Sequence, residues 1–290
     1  SGCRALEKKL EIAYLGPQGT YSELAARVLF GHMVDLVPCY SLEEVLEKGE
    51  RGQSDISLLP VENSIEGTVG RTLDLLVSAK LKISAEISIP INHLLLRKVG
   101  GFNHITRVVA HSQALLQCQK WLDLRLPSVP RLAVESNGVA AQMAQQEEKV
   151  VAIAGKLAQE KYELVSLAND IQNEKFNRTR FAALGKFEPD GCGLDQTSII
   201  VGVRDQVGAM HKVVESFAKN FVSLRRFESR PARTTRVHAW EYLFYIDLEG
   251  HINDTNVKKA LDDVKENSVF FKNLGSYPLF EKLGLPSRLT

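Results

Sequence analysis

Short apolar runs, each giving way to a turn or to a stretch of helical periodicity, recur through the first two thirds of the chain. Ile12-Ala13-Tyr14-Leu15 stops at Gly16-Pro17-Gln18-Gly19 and is followed by a helix-like stretch from Ser22 to Phe30. Asp55 to Leu59 runs into Pro60, Arg107 to Ala110 leads into a helix over Gln113 to Leu122, and Val150 to Ala154 leads into a helix that begins near Gly155. Strands alternating with helices predict an α/β protein with largely parallel sheets and helices on both faces. Pro90, after the strand from Ile83 to Ile89, marks a crossing between two α/β lobes.

The texture changes at Glu188-Pro189-Asp190-Gly191-Cys192-Gly193, a cluster of turn residues that reads as a linker. Beyond it come a strand (Thr197 to Val203), a helix (Ala209 to Asn220), two strands (Val222 to Ser229, Trp240 to Asp247), a helix (Asn256 to Asn267) and a strand (Val269 to Tyr277). This βαββαβ order matches a ferredoxin-like sandwich of a size to fold alone. The expected domains are therefore a remnant or linker over 1–10, an α/β domain over 11–188, a sandwich over 196–280 and a tail over 281–290. Within the α/β domain, lobe 1 takes about 11–89 and 170–188 and lobe 2 about 90–169.

Composition narrows the partners. With 36 basic and 35 acidic residues and a net charge of +1, no surplus field is available for a nucleic acid or an acidic membrane, so a small molecule is expected. The chain is long enough for two or three cores. Cys3, Cys39, Cys118 and Cys192 form no C-x-x-C pair, so neither a disulfide framework nor a metal site is signalled, and a reducing cytoplasm fits. No run reaches the roughly 18 apolar residues of a membrane span. The start at Ser1, without Met, suggests a processed fragment.

Four segments carry chemistry. Gly16-Pro17-Gln18-Gly19-Thr20-Tyr21-Ser22 lacks the spacing of a nucleotide loop, but a helix start with the hydroxyls of Thr20 and Ser22 suits a carboxylate; either residue reads equally as a plain cap. Pro60-Val61-Glu62-Asn63-Ser64-Ile65-Glu66-Gly67 begins where a strand ends, the position at which open α/β sheets bind ligands, and Ser64 there suits a cap for a following helix. Ala110-His111-Ser112-Gln113 through Cys118 puts Gln113 and Gln117 on one helix face, with His111 as base or cap. Asn177-Arg178-Thr179-Arg180-Phe181 stands where the chain re-enters a sheet.

In this order and over residues 11 to 187 these motifs resemble the prephenate dehydratases. Gly208-Ala209, Glu228-Ser229-Arg230-Pro231 and Trp240-Glu241-Tyr242 resemble the phenylalanine-binding ACT domain of the same family, and the first ten residues look like the tail of a chorismate mutase helix. The resemblance implies two lobes folded like a type II periplasmic binding protein, with decarboxylative dehydration of prephenate between them and no metal or organic cofactor. It makes Thr179 the proton donor to the departing hydroxyl, Asn63 and Gln117 its catalytic companions, and Glu62 their support. Arg180, Thr20 and the helix start at Ser136-Asn137 are expected at the carboxylates; Ser22, Ser64, His111, Gln113 and Phe181 complete the expected substrate contacts. For L-phenylalanine as inhibitor it implies Gly208, Ala209, Met210, Ser223, Leu224, Glu228, Ser229, Arg230 and Pro231, in a homodimer or homotetramer. Against the family pattern, Ala110 stands where Ser is common, Ser112 where Pro is usual, Asn137-Gly138 where Thr or Ser precedes a small residue, Met210-His211 in place of Leu plus a small residue, and Ser223 in place of Asn. An arogenate dehydratase and a non-catalytic amino-acid sensor are the alternatives.

Overall fold

The computed structural model of the chain describes residues 9–231 and 242–279. Most of the expected N-terminal remnant, the basic segment Ala232 to Ala239, Trp240-Glu241 and the tail lie outside the described residues.

The chain begins with β1 (Glu11–Leu15), α1 (Tyr21–Phe30), β2 (Asp35–Cys39), α2 (Leu42–Glu50), β3 (Ile56–Asn63), β4 (Gly67–Thr68), α3 (Gly70–Ser78) and β5 (Lys82–Pro90). It crosses to a second sheet through β6 (Leu94–Arg97), β7 (Arg107–His111), α4 (Ser112–Gln117), α5 (Gln119–Arg125), β8 (Arg131–Val134), α6 (Asn137–Gln146), β9 (Val150–Ala154), α7 (Lys156–Lys161) and β10 (Val165–Ala168). Strand β11 (Arg178–Gly185) then returns to the first sheet. The strand orders are β2-β1-β3-β11-β5, with β4 beside β3, and β10-β6-β9-β7-β8.

Strand β1 is parallel to β2 and β3, and β7 is parallel to β8 and β9, as helical crossovers require. The expectation of largely parallel sheets is corrected at β6, antiparallel to β9 and β10, and at β4, antiparallel to β3. Strand β6 enters straight from the first sheet with no crossover helix to turn it. The expected helix over 113–122 divides at Cys118, where the backbone leaves helical geometry (φ −107°, ψ 7°). Asn173 explains the break: its N–H donates to the Gln117 carbonyl at 2.6 Å, its amide nitrogen to the Leu116 carbonyl, and its amide oxygen accepts from the Lys120 N–H. Groups that would continue the helix are satisfied by the returning chain instead.

Strand β9 is buried throughout and alternates between two cores. Ala152 and Ala154 meet Ala140, Ala141 and Ala144 of α6, while Val151 and Ile153 meet Ala114, Cys118 and Leu122. The alanines bring α6 close to the sheet, which places its N-terminus at the strand ends.

The C-terminal part is β12 (Asp195–Val203), α8 (Ala209–Lys219), β13 (Leu224–Pro231), β14 (Tyr242–Glu249), α9 (Thr255–Glu266) and β15 (Phe270–Pro278), in the antiparallel order β13-β14-β12-β15. This is the ferredoxin-like arrangement that the element order predicts. Ile199, Val201, Phe244 and Ile246 pack against Val213, Phe217, Val257 and Leu261 of the two helices.

By packing, the chain divides into two compact units, 1–69 with 87–181, and 70–86 with 182–290, one cut falling just before α3 and the other two inside β5 and β11. Helix α3 thus belongs with the C-terminal sandwich. The Tyr245 hydroxyl donates to the Leu73 carbonyl at 2.8 Å, Arg230 pairs with Asp74 at 3.0 Å, and Lys272 donates to the Leu76 and Val77 carbonyls at 2.8 and 2.9 Å. A cation on the last carbonyls is the favourable end of a helix for positive charge.

Candidate active site

Asn63 ends β3 in a turn that settles its own orientation. Its amide oxygen accepts from the backbone N–H groups of Ile65 (3.0 Å) and Glu66 (3.2 Å), which can only donate. Its amide nitrogen is therefore the donor to Asn177 Oδ1 at 2.8 Å and to Thr179 Oγ1 at 2.9 Å. Asn177 must then present its nitrogen to Gln117 Oε1, at 3.0 Å, and Gln117 its nitrogen to Glu66 Oε1, at 2.7 Å. Two peptide N–H groups thereby set the direction of every bond along this relay. Thr179 stands at its end as an acceptor, and among the described residues its hydroxyl proton has no acceptor of its own.

Thr179, Asn63 and Gln117, expected together, are together. The neighbouring Arg180 and Glu62 pair with each other at 3.5 Å, and strand alternation sends them to the face opposite Thr179 and Asn63. Arg180 is thus corrected from a carboxylate ligand beside Thr179 to one half of an ion pair behind it. Phe181 is corrected too: it is only 2% exposed and packs into the core below Thr179. No helix follows Ser64 directly, so it caps none; its hydroxyl accepts from the Arg178 N–H at 2.9 Å and ties the turn to β11.

The helix starts differ. Thr20 caps α1, its hydroxyl accepting from the Glu23 N–H and donating to the Leu15 carbonyl, and Ser22 is buried. Glu23, 1% exposed, accepts from the Gly19 N–H at 2.7 Å and pairs with Arg27 at 2.6 Å. A carboxylate of the chain itself already occupies the positive end of α1, which corrects Thr20 and Ser22 as anion ligands. Helix α6 is capped by Ser136, whose Oγ accepts from the Val139 N–H at 3.1 Å, and carries no acidic residue in its first turn. Asn137 Oδ1 accepts from the His111 N–H at 2.9 Å, so α6 and α4 begin side by side. Gly138 allows this start to sit on the glycine turn, because a Cβ there would lie 2.8 Å from Pro17 Cγ. His111 caps α4, Nδ1 accepting from the Gln113 N–H at 3.3 Å, and Gln113 is exposed.

Residues without an assigned role in the sequence reading complete the relay. Glu66, Tyr21 and Asn177 lay inside the motifs; His93 did not, its signal being a polar pair, Asn92-His93, at the head of a leucine run. His93 Nε2 is 2.8 Å from Gln117 Oε1, and Nδ1 is 3.2 Å from the Tyr21 hydroxyl. Burial lowers the His93 pKa below its ordinary 6.5, with the Gln117 bond opposing. The folded ring stays neutral while the unfolded chain takes up a proton, so this contribution to stability is full above pH 6.5 and is lost as pH falls through the lower folded value. Urea denaturation over a pH series is expected to show wild-type stability falling on acidification more steeply than that of His93→Gln.

The residues expected at the regulatory site fall into two groups. Gly208, in the left-handed conformation (φ 82°), caps α8 and is followed by Ala209 and the half-exposed Met210. Glu228 to Pro231 end β13 at the same edge of the sheet, since Pro231 and Val203 both pair with Tyr242. Ser223 and Leu224 lie at the other end, level with Glu249 and Leu248, about 20 Å along the strand at ~3.3 Å per residue. An irregular register between Leu224 and Arg226 turns Phe227 toward Phe244, ring centroids 5.1 Å apart, and leaves Arg230 facing Asp74.

The family model described as prephenate dehydratase matches residues 12–189, and that of the ACT domain matches 197–266. The chain is 41% identical over 278 residues to a bifunctional chorismate mutase/prephenate dehydratase of Aquifex aeolicus, covering 96% of this chain and 76% of that one. It is 42% identical over 281 residues to the enzyme of that name from Neisseria gonorrhoeae, covering 96% and 77%. Among solved structures, the prephenate dehydratase of Arthrobacter aurescens in complex with L-Phe matches with a TM-score of 0.85 at 31% identity, covering 94% of this chain and 91% of that one.

Proposed function

The chain belongs to the prephenate dehydratase family, and on that premise we propose that it is a carbon–oxygen lyase converting prephenate to phenylpyruvate, carbon dioxide and water. The bond to the ring carboxylate breaks, its electron pair enters the ring, and the C4 hydroxyl leaves with a proton as water. Aromatisation supplies the drive; the protein must hold the anions and place a donor at the leaving oxygen.

Thr179 is that donor. The observation that supports it best is that Asn63 donates to Thr179 Oγ1, leaving the hydroxyl proton unspent. A threonine is a very weak acid, so it shares its proton with the leaving oxygen and takes another from solvent once the site opens, which supplies the one proton the reaction consumes. Asn63 and Gln117 position it. The start of α6, capped but bare of acidic residues, is the anion site we assign to a substrate carboxylate, with His111 and Gln113 beside it.

The C-terminal sandwich is proposed to bind L-phenylalanine, a reading supported by the ACT match and by the L-Phe-bound relative. A homodimer or homotetramer is proposed as well, since β13 is an edge strand that pairing would cover. Among the described residues no helix is long and apolar enough to cross a membrane, and the buried thiols Cys39 and Cys118 suit a reducing cytoplasm. The deciding experiment follows phenylpyruvate absorbance after adding prephenate, with and without L-phenylalanine. Turnover that the amino acid lowers is expected. No product from prephenate, with product from arogenate, would transfer the assignment to arogenate; no product from either leaves a sensor.

A further inference from the structure

We propose that His93 is a positioning residue for the dehydration, acting as a neutral Nε2–H donor that fixes the amide of Gln117; this rests on the reading of the site given above. The direction of the bond follows from the relay. Because Asn177 donates to Gln117 Oε1 and Gln117 Nε2 donates to Glu66, the only partner that Oε1 can offer His93 is a lone pair. His93 Nε2 must carry hydrogen. Nδ1 is then the bare nitrogen, 3.2 Å from the Tyr21 hydroxyl, which burial keeps protonated and whose one proton is donated to the Asn92 carbonyl at 2.6 Å, leaving Nδ1 no more than a bifurcated share of it.

The ring is held independently of the group it serves. His93 stands on the first crossing between the two sheets, where its N–H donates to Gln172 Oε1 at 2.9 Å and its carbonyl accepts from the Ile171 N–H at 3.0 Å, both on the second crossing. The Tyr21 ring meets it edge-on, centroids 5.8 Å apart. A donor clamped at the crossings thus reaches Gln117 on α4, and through Asn177 and Asn63 bears on Thr179. Removing it takes away the shorter of the two bonds to Gln117 Oε1 and leaves the amide held by Asn177 and Glu66 alone, and the loss is carried to the orientation of the reacting hydroxyl rather than to substrate affinity.

Glutamine offers a nitrogen donor close to the position of Nε2, whereas phenylalanine keeps the bulk and loses the donor. His93→Gln is expected to keep kcat within about threefold of wild type, and His93→Phe to lower it on the order of 100-fold with KM changed less than about threefold. In the unmutated protein, nitrogen-15 spectra of the histidine rings should show one neutral ring protonated on Nε2 that Gln117→Leu perturbs. A folded His93→Phe with wild-type kcat, a His93→Gln as impaired as His93→Phe, or a His93 proton on Nδ1 each overturns the proposal. Should His93→Phe fail to fold, the glutamine variant and the ring spectrum decide. Failure of the wild-type protein to turn over prephenate counts against the assigned reaction instead, and the ring spectrum then judges the inference by itself.

Discussion

Thr179→Ala is expected to lower prephenate turnover by about three orders of magnitude while the protein stays folded, with KM little changed. The change deletes the hydroxyl at the end of the relay, so no group remains to donate to the leaving oxygen. Its structural cost is small: one Asn63 N–H loses an acceptor at a partly exposed site, about 1 kcal/mol. Thr179→Ser, which keeps the hydroxyl and loses only the methyl that restricts its rotamer, is expected within about tenfold of wild type. Steady-state assay together with a thermal melt checks both, and near-wild-type phenylpyruvate formation by a folded alanine variant would sink the role assigned to Thr179.

Asn177 carries the second large expectation. It is 1% exposed, accepts from Asn63 and donates to Gln117, so each end of the relay depends on it. Asn177→Leu fills much the same space but takes an acceptor from Asn63 and a donor from Gln117 at partly exposed positions, a cost of about 1–2 kcal/mol. A fall in kcat on the order of 100-fold should accompany it, because Asn63 no longer holds Thr179 alone against solvent. Asn177→Asp sharpens the test: it keeps an acceptor for Asn63 but brings a second acceptor against Gln117 Oε1, so kcat should fall there as well. Urea denaturation and kinetics on the two variants measure these effects; a kcat within threefold of wild type in both would mean that the relay does not govern the hydroxyl.

The parts legible in the sequence are those with local causes. Short apolar runs place β1, β3, β7 and β9, although β3 runs on through Pro60 to Asn63 where the proline reads as a turn, and the C-terminal order is readable because each element has its own period. What local pattern cannot report is which neighbour satisfies a group. Cys118 sits inside a run of good helical periodicity, yet Asn173, more than fifty positions on, takes over the backbone there. The anion site at Thr20 looked open because nothing in the string Gly16 to Ser22 announces that Glu23 turns back onto Gly19. Thr179 and Arg180 are adjacent letters on opposite faces, and the strand pleat separates their fates. His93 was missed for the opposite reason: a lone histidine before leucines is ordinarily a core residue, and only the direction of the Asn63 turn gives its ring a task.

Helix α3 gives the chain a different kind of modularity from the one its motifs suggest. Its first residue follows β4, the partner of the strand that ends in Asn63, by a single position, yet Leu73, Asp74, Leu76 and Val77 find their partners on Tyr245, Arg230 and Lys272. Cutting at the glycine-rich linker would therefore not release two finished parts. A fragment ending near Glu188 would carry a helix with bare carbonyls, an unpaired aspartate and two leucines stripped of cover, while the sandwich alone would lose the element that seals one side of its sheet. For anyone grafting this sensor onto another enzyme, the unit to move is discontinuous, and it includes a stretch borrowed from the middle of the catalytic sequence.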